Sequence, residues 1–393
     1  MPQGLDIVTF ANDWTADPTS KHHLMKRFAE RNRVLWVEAA GMRTPSLNRS
    51  GDLQRLVTKA RSFTRRARPV LPGLHAYSPP TIPLPGSRVA SAANAALYRG
   101  SIGRELRSLG MRSDPLLWVY GPHVAPWIRG MRRQFLLYHC VDRWSAFQGY
   151  DPEVMIAGEA EICRAADLVI ASAEDLAERC RQYTDNVHYV SHGVDHAHFA
   201  TALEPGDLPA DIANIPGPRI GFFGLIHEWV DIDLIGRLAD RLPYSFVLIG
   251  ATDQDLGPLT ARKNVYHLGR RKYAELPDYS RGFAAAIVPF RTSELTQSVN
   301  PIKLREYAAA GLPVVSTGLP EVRRCADIAV CADGDDEWVS ALQAAVERGA
   351  DEAERRRQSA RVLGEDWSAV AERIEGLIRE AREPRRPASP VLV

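Results

Sequence analysis

Short apolar runs alternate with amphipathic segments along almost the whole chain, and this alternation restricts the fold more than any other feature. An apolar run of four to six residues makes a strand buried on both faces, an amphipathic segment makes a helix that covers it, and the repetition requires a mostly parallel sheet with helices on either side. Strands are expected near 5–10, 33–37, 73–78, 115–120, 135–139, 167–172 and 187–191. The pattern lapses in a Pro- and Gly-containing connection from Glu204 to Pro218 and restarts at Ile220-Gly221-Phe222-Phe223-Gly224. Further strands are expected near 245–249, 264–268, 284–289, 313–317 and 327–331. The fold class is α/β, with a doubly wound lobe over 1–203 and a second over 204–364. Asp366-Trp367 opens an amphipathic helix, over 365–382, with Val370, Ile374, Leu377 and Ile378 on one stripe. The Pro- and Arg-rich tail, 383–393, is expected to be disordered. At 393 residues, 45% of them hydrophobic, the chain is long enough for two cores.

The stretch Asn300-Pro301-Ile302-Lys303-Leu304-Arg305-Glu306-Tyr307-Ala308-Ala309-Ala310-Gly311-Leu312-Pro313 carries its own punctuation. Asn300 as N-cap and Pro301 as first residue start a helix of about three turns, and Gly311 with Pro313 ends it. The first turn of a helix presents unpaired N–H groups and the positive end of the peptide dipoles, and Lys303 adds an ammonium there, which together suit a phosphate. Glu306 lies three residues on, on the same face, where its carboxylate can accept two hydrogen bonds from a ribose diol. An ordinary amphipathic helix with a surface Lys–Glu pair is the other reading of the same residues.

This stretch resembles the donor-site helix of GT-B glycosyltransferases, whose signature is a Glu, seven residues, a second Glu, a small-residue run and Gly-x-Pro-Val-Val. Glu306 matches the second Glu and Ala308 to Thr317 match the run, while Ser298 stands at the first Glu. The Asn-Pro-x-Lys-x-x-Glu form is similar to a variant in bacterial polysaccharide and glycolipid transferases of the family 4 type. Tyr189-Val190-Ser191-His192-Gly193-Val194-Asp195 followed by Phe199 resembles the junction between the two Rossmann-like lobes of that fold, with His192 in place of Asn and Asp195 placed to cap the next turn. The resemblance implies that the 365–382 helix crosses back to pack on the first lobe. It implies a nucleotide-diphosphate sugar donor, of uridine or guanosine type, on the second lobe, a hydroxyl acceptor on the first, and no separate cofactor. Lys303 would contact the diphosphate, Glu306 the ribose, and Asn300 and Pro301 would order the loop beside Ser298. Gly224, in the turn after the first strand of the second lobe, would let backbone approach the donor. The basic pair that usually follows that turn is absent, since Leu225 and Trp229-Val230 stand there, so Arg291 or Arg270 would assist Lys303 and Glu294 would meet the donor sugar. The competing account of these arginines is solvated surface, which suits Arg271 better than Arg291, since Arg291 directly follows the strand end Val288-Pro289-Phe290.

Acceptor chemistry needs a titratable group where a strand of the first lobe ends. Tyr138-His139-Cys140-Val141-Asp142-Arg143-Trp144 and Gly121-Pro122-His123 both follow apolar strands, so Asp142 is the candidate base and His123 the alternative. A helix-capping carboxylate and a satisfied core histidine are the competing accounts. Asp13 and the pair His22-His23 are lesser acceptor-side candidates, one of the two histidines being expected on the surface. Asp231-Ile232-Asp233 and Asp253-Gln254-Asp255 have the spacing of a divalent-cation motif. The first reads better as charge at a helix start and the second as a turn, and no metal is expected.

Net charge is +1, yet residues 41–135 hold sixteen Lys or Arg against three acidic residues. A field of that sign points to an anionic partner. Its centre, 53–68, places Leu53, Leu56, Val57, Ala60 and Phe63 at helical spacing among basic residues, as a helix lying on an anionic membrane would. Aromatic interleaving is sparse there, which argues against nucleic acid. Five cysteines without a CxxC pair read as buried thiols of a reducing compartment, and no stretch of 18 apolar residues exists. The expected location is cytoplasmic, peripheral on the inner face of the cell membrane. Neither a GxGxxG nor a Walker loop is present. The expected activity is sugar transfer from a nucleotide sugar to a lipid-linked or polysaccharide precursor; a nucleotide-sugar epimerase of the same fold and a non-catalytic membrane scaffold are the rivals.

Overall fold

The computed structural model describes residues 4–38, 66–82 and 88–383. The chain divides into two compact units, one made of residues up to Val190 together with those from Val370 onward, the other of Ser191–Ala369. The division comes before the expected boundary at 203, because Val194 and Phe199 pack into the core of the second unit. Most of the 53–68 stretch lies outside the described residues. Its end is extended, not helical: Arg66 pairs with Glu105 and Arg68 begins a strand. Residues 384–393 also lie outside. Among the described residues no helix is long and apolar enough to cross a membrane.

Among the described residues the first unit has eight strands: β1 (Asp6–Ala11), β2 (Arg33–Glu38), β3 (Arg68–Leu71), β4 (Leu74–Tyr77), β5 (Leu116–Val119), β6 (Phe135–Cys140), β7 (Leu168–Ala171) and β8 (Val187–Tyr189). They are ordered β3-β4-β2-β1-β5-β6-β7-β8, all parallel except β3, which is antiparallel to β4. Strand β3 was not expected: two of its four residues, Arg68 and Pro69, are polar or lack a backbone N–H, so it has no apolar signature and sits where such a strand is tolerated, at an edge. The central strands are wholly buried. Arg33 grips Asp6 at both carboxylate oxygens, 2.7 and 2.8 Å, fixing the start of β2 beside that of β1. One face of β1 and β5 carries Val8, Phe10, Leu117 and Val119 into an apolar core with Tyr98 and Ile102. Each such side chain contributes about 1.5–3 kcal/mol by leaving water.

The second unit has β9 (Arg219–Phe223), β10 (Ser245–Ile249), β11 (Val265–Gly269), β12 (Ala285–Val288), β13 (Val314–Ser316) and β14 (Ala329–Cys331), in the order β11-β10-β9-β12-β13-β14, all parallel. In both sheets the order reverses beside the first strand, between β1 and β5 and between β9 and β12. In doubly wound sheets ligands bind at the carboxyl ends of the strands at such reversals. The Trp367–Arg382 helix starts in the second unit, where Trp367 N–H donates to Val194 O at 3.1 Å, and continues in the first, where Arg373 donates to Tyr189 O at 2.9 Å.

Candidate active site

In the second unit the site forms around the Ile302–Ala309 helix, which starts one residue later than expected and makes about two turns. Pro301, not Asn300, is the N-cap, because its extended backbone (φ −72°, ψ 112°) precedes the first helical residue and no side chain caps the helix. Asn300 turns inward instead. Its Nδ2 donates to Ser191 Oγ at 3.0 Å and its Oδ1 accepts from Arg305 Nη1 at 3.0 Å, and Arg305, itself buried, also binds Ser191 Oγ at 2.7 Å and Glu365. The guanidinium ties the start of the helix to the 191 and 365 segments. The C-terminus ends as expected: Gly311 has φ +75°, Leu312 N–H reaches Tyr307 O at 2.9 Å and Gly311 N–H reaches Ala308 O at 2.8 Å, the paired bonds of a Schellman motif.

Tyr307 fixes this helix to β9, its hydroxyl accepting from Phe223 N–H at 2.9 Å. Lys303 is one turn earlier on the same face. It therefore reaches the carboxyl end of β9, where Gly224 adopts φ +134° and a β-carbon would stand 2.6 Å from the lysine Nζ. Glu306 is buried at 8% exposure, and burial pushes its carboxyl up to about 7; Lys303 opposes the rise and Asp195 adds to it. Burial lowers the ammonium of Lys303, with Glu306 acting the other way. Tyr273, raised by burial and by the charges of Glu306 and Asp195, completes one electrostatic group, and the His198 ring stacks on it with centroids 4.7 Å apart. Asp195 does not cap the His196–Ala200 helix, so the expected cap gives way to a charge facing Glu306. Neither Tyr273 nor Asp195 was expected in the site; no motif marks a tyrosine in the 3-10 turn after β11.

The other donor-side candidates are placed differently. Arg291 pairs with Asp233 at 2.8 Å and Asp231 at 3.5 Å, so its charge is matched within the unit. That leaves Lys303 as the cation beside Gly224. Asp231 caps the Ile232–Arg241 helix by accepting from Leu234 N–H at 3.0 Å, the role expected of it. Asp255 accepts from Gly257 N–H at 2.9 Å in a turn, while Asp253 meets His227 Nε2 at 2.7 Å, and the His227 ring stacks on Trp229. Glu294 is exposed at the start of the short Glu294–Gln297 helix, and Ser298 is fully buried at that helix's end. Arg270 is exposed; Arg271, read as surface, binds Asp211 and Tyr279.

In the first unit Asp142 follows β6 and His123 lies in the 3-10 turn Pro122–Val124 after β5. Burial pushes the Asp142 carboxyl up to about 6 against the charge of Lys21, while burial and then Lys21 push His123 down to about 4. Lys21, in the Ser20–Ala29 helix, was not singled out by the sequence; its ammonium lies over the rings of Tyr120 and Trp144, 5.5 and 5.3 Å from their centroids. Asp13 is exposed and binds the Thr15 amide and hydroxyl at 2.8 and 2.7 Å. His22 and His23 are both buried, contrary to the expectation for one of them, and the His22 ring packs against Trp14 and Trp36. All five cysteines are free. Cys140, Cys180 and Glu159 bring donor atoms within 4.8 Å of one another inside the core.

Residues 217–348 match the family described as Glycosyl transferases group 1. A Bacillus subtilis (strain 168) protein named as a teichuronic acid biosynthesis glycosyltransferase, TuaH, is 27% identical over 262 residues, 61% of this chain and 65% of that protein. The matched region thus spans less than two thirds of that relative's length. Sucrose-phosphate synthase from Thermosynechococcus elongatus superposes with a TM-score of 0.69 at 15% identity, covering 96% of this chain and 98% of that one. HepE of Anabaena, solved in complex with UDP and glucose, superposes with a TM-score of 0.65 at 15% identity, covering 95% and 99%. The chain has the GT-B fold of two Rossmann-like lobes, and its residues 217–348 are similar to the glycosyl transferases group 1.

Proposed function

We propose that this chain transfers a sugar from a uridine diphosphate sugar to a hydroxyl of a polysaccharide or lipid-linked precursor. The observation that carries the reading is the approach of Lys303 to Gly224 with buried Glu306 one turn deeper, at the strand-order reversal of the second sheet. The opening turn of the helix and the Lys303 ammonium hold the diphosphate and match the charge that grows on it as the anomeric C–O bond breaks. Glu306, in its ionised form, accepts from the ribose hydroxyls. The UDP held by HepE favours uridine over guanosine as the donor base. The acceptor binds the first lobe, where Asp142 takes the hydroxyl proton as the oxygen attacks the anomeric carbon, with His123 the alternative base. The teichuronic acid assignment of the TuaH relative supports an envelope polysaccharide product. We place the chain peripherally on the cytoplasmic face of the membrane, where such precursors are elongated.

Calorimetric titration with uridine and guanosine diphosphates and their hexose conjugates tests the donor half. Binding of a uridine ligand that weakens in Lys303→Met and Glu306→Gln is expected. Absence of heat with every nucleotide would leave a scaffold, and conversion of the donor sugar without any acceptor would indicate an epimerase.

A further inference from the structure

Three of the five cysteines, far apart in sequence and without a CxxC pair, converge in the core of the first lobe. Cys140 ends β6, Cys163 lies in the last turn of the Pro152–Ala165 helix, and Cys180 lies in the last turn of the Glu174–Arg181 helix. All three are buried, and the Cys180 thiol is hydrogen-bonded with both others. Glu159, one turn before Cys163 on the same helix, brings a carboxylate among them. The Cys140 thiol donates to its Oε1 at 3.6 Å, and the donor atoms of Cys140, Cys180 and Glu159 lie within 4.8 Å of one another.

Buried cysteine is a common small apolar filler, and packing alone would account for the three thiols. It does not account for Glu159, because a carboxylate placed among thiols in an apolar core carries a desolvation cost that an aliphatic side chain would not. Both of its oxygens are held from outside the thiol group. The Tyr138 hydroxyl donates to Oε1 at 2.8 Å, and Arg179 lies 3.7 Å from Oε2. Outer partners of this kind orient a metal-ligating carboxylate and leave lone pairs free for the ion. The spacing agrees with a zinc ion. In a tetrahedral site with Zn–S of about 2.3 Å and Zn–O of about 2.1 Å, adjacent sulfur and oxygen atoms stand about 3.6 Å apart and adjacent sulfurs about 3.8 Å. The Cys140–Glu159 pair already has that separation, and the rest of the group need close by about 1 Å at most. Thiolates with one carboxylate favour zinc over magnesium or calcium, which take oxygen ligands.

We infer that Cys140, Cys180 and Glu159, with Cys163 as the fourth donor, form a structural zinc site that ties β6 to the Pro152–Ala165 and Glu174–Arg181 helices. The ion displaces thiol protons to solvent, and Arg179 offsets part of the negative charge left around it. Four protein donors leave no open position, so the site is independent of the transferase reading. The full chain, produced without a histidine tag in medium supplemented with zinc, should retain one zinc per chain after gel filtration, measured by elemental analysis. Produced with cobalt(II) instead, it should show intense near-ultraviolet thiolate-to-cobalt absorption. Cys180→Ser should lose the ion, Tyr138→Phe should weaken its binding by about 10–100-fold, and Cys331→Ser, which alters a cysteine outside the cluster, should keep it. The cobalt absorption is read on the unsubstituted chain, so the assignment is decided even if Cys180→Ser does not fold. Retention of no metal, cobalt bound without thiolate absorption, or zinc that stays in a folded Cys180→Ser chain would overturn it.

Discussion

Lys303 lies across the backbone of Gly224: a β-carbon at position 224 would overlap the lysine Cε and stand 2.6 Å from its Nζ. Glycine is needed there twice, for the φ of +134° and for the room the ammonium occupies. The approach places a cation at the end of β9 without the basic pair that usually follows this turn.

Gly224→Ala should therefore act twice, straining the backbone at φ +134° and displacing the Lys303 ammonium. It should weaken uridine diphosphate binding by about tenfold or more, the value of one charge-assisted contact. Calorimetry compared with a thermal melt checks this; unchanged affinity in a folded variant would separate Lys303 from the diphosphate.

The carboxyl of Glu306 titrates at about 7 in the folded chain against 4.5 when unfolded. A raised carboxylate favours folding below pH 4.5 and loses that contribution as pH rises through 7, a change of about 3 kcal/mol. Urea unfolding at pH 5 and pH 8 should show Glu306→Gln losing less stability over this interval than the unsubstituted chain.

Asp142 and His123 are distinguishable by the acid limb of kcat/KM. If Asp142 is the base, the limb falls as pH drops through about 6; if His123 is, it falls near 4. Asp142→Asn should lower kcat by about 10²–10⁴-fold and remove the limb near 6.

Arg305 is 3% exposed and holds Asn300, Ser191 and Glu365 together. Arg305→Leu leaves the buried Asn300 amide and the half-buried Ser191 and Glu365 without their shared partner, at a cost of about 1–3 kcal/mol. Arg305→Lys should recover only part of this, because an ammonium cannot reproduce the planar fork. Chemical denaturation of the three proteins gives the comparison.

Much of the fold was legible because parallel strands buried on both faces are continuous apolar runs, and thirteen of the fourteen strands among the described residues coincide with such runs to within a residue or two. Strand β3 escaped because an edge strand needs no apolar face, as Arg68 and Pro69 show. The Ile302–Ala309 helix was legible from Lys303, Glu306 and the Gly311-Leu312-Pro313 stop. Its start was misplaced because Asn300 satisfies its amide against Ser191 and Arg305, partners outside the helix cap, instead of against the backbone of the first turn.

The sequence by itself determined the two doubly wound lobes, the glycine-terminated helix and the pairing of Lys303 with Glu306, since each follows from local propensity and from spacing along a few turns. Tertiary structure decided which charges remain available for ligand. Arg291 is matched by Asp231 and Asp233. Asp195 faces Glu306, and Lys21 is set over the Tyr120 and Trp144 rings. Those outcomes depend on residues that the sheet order brings together from distant parts of the chain, and electrostatic interactions depend on separation and burial in space, which spacing along the sequence does not reveal.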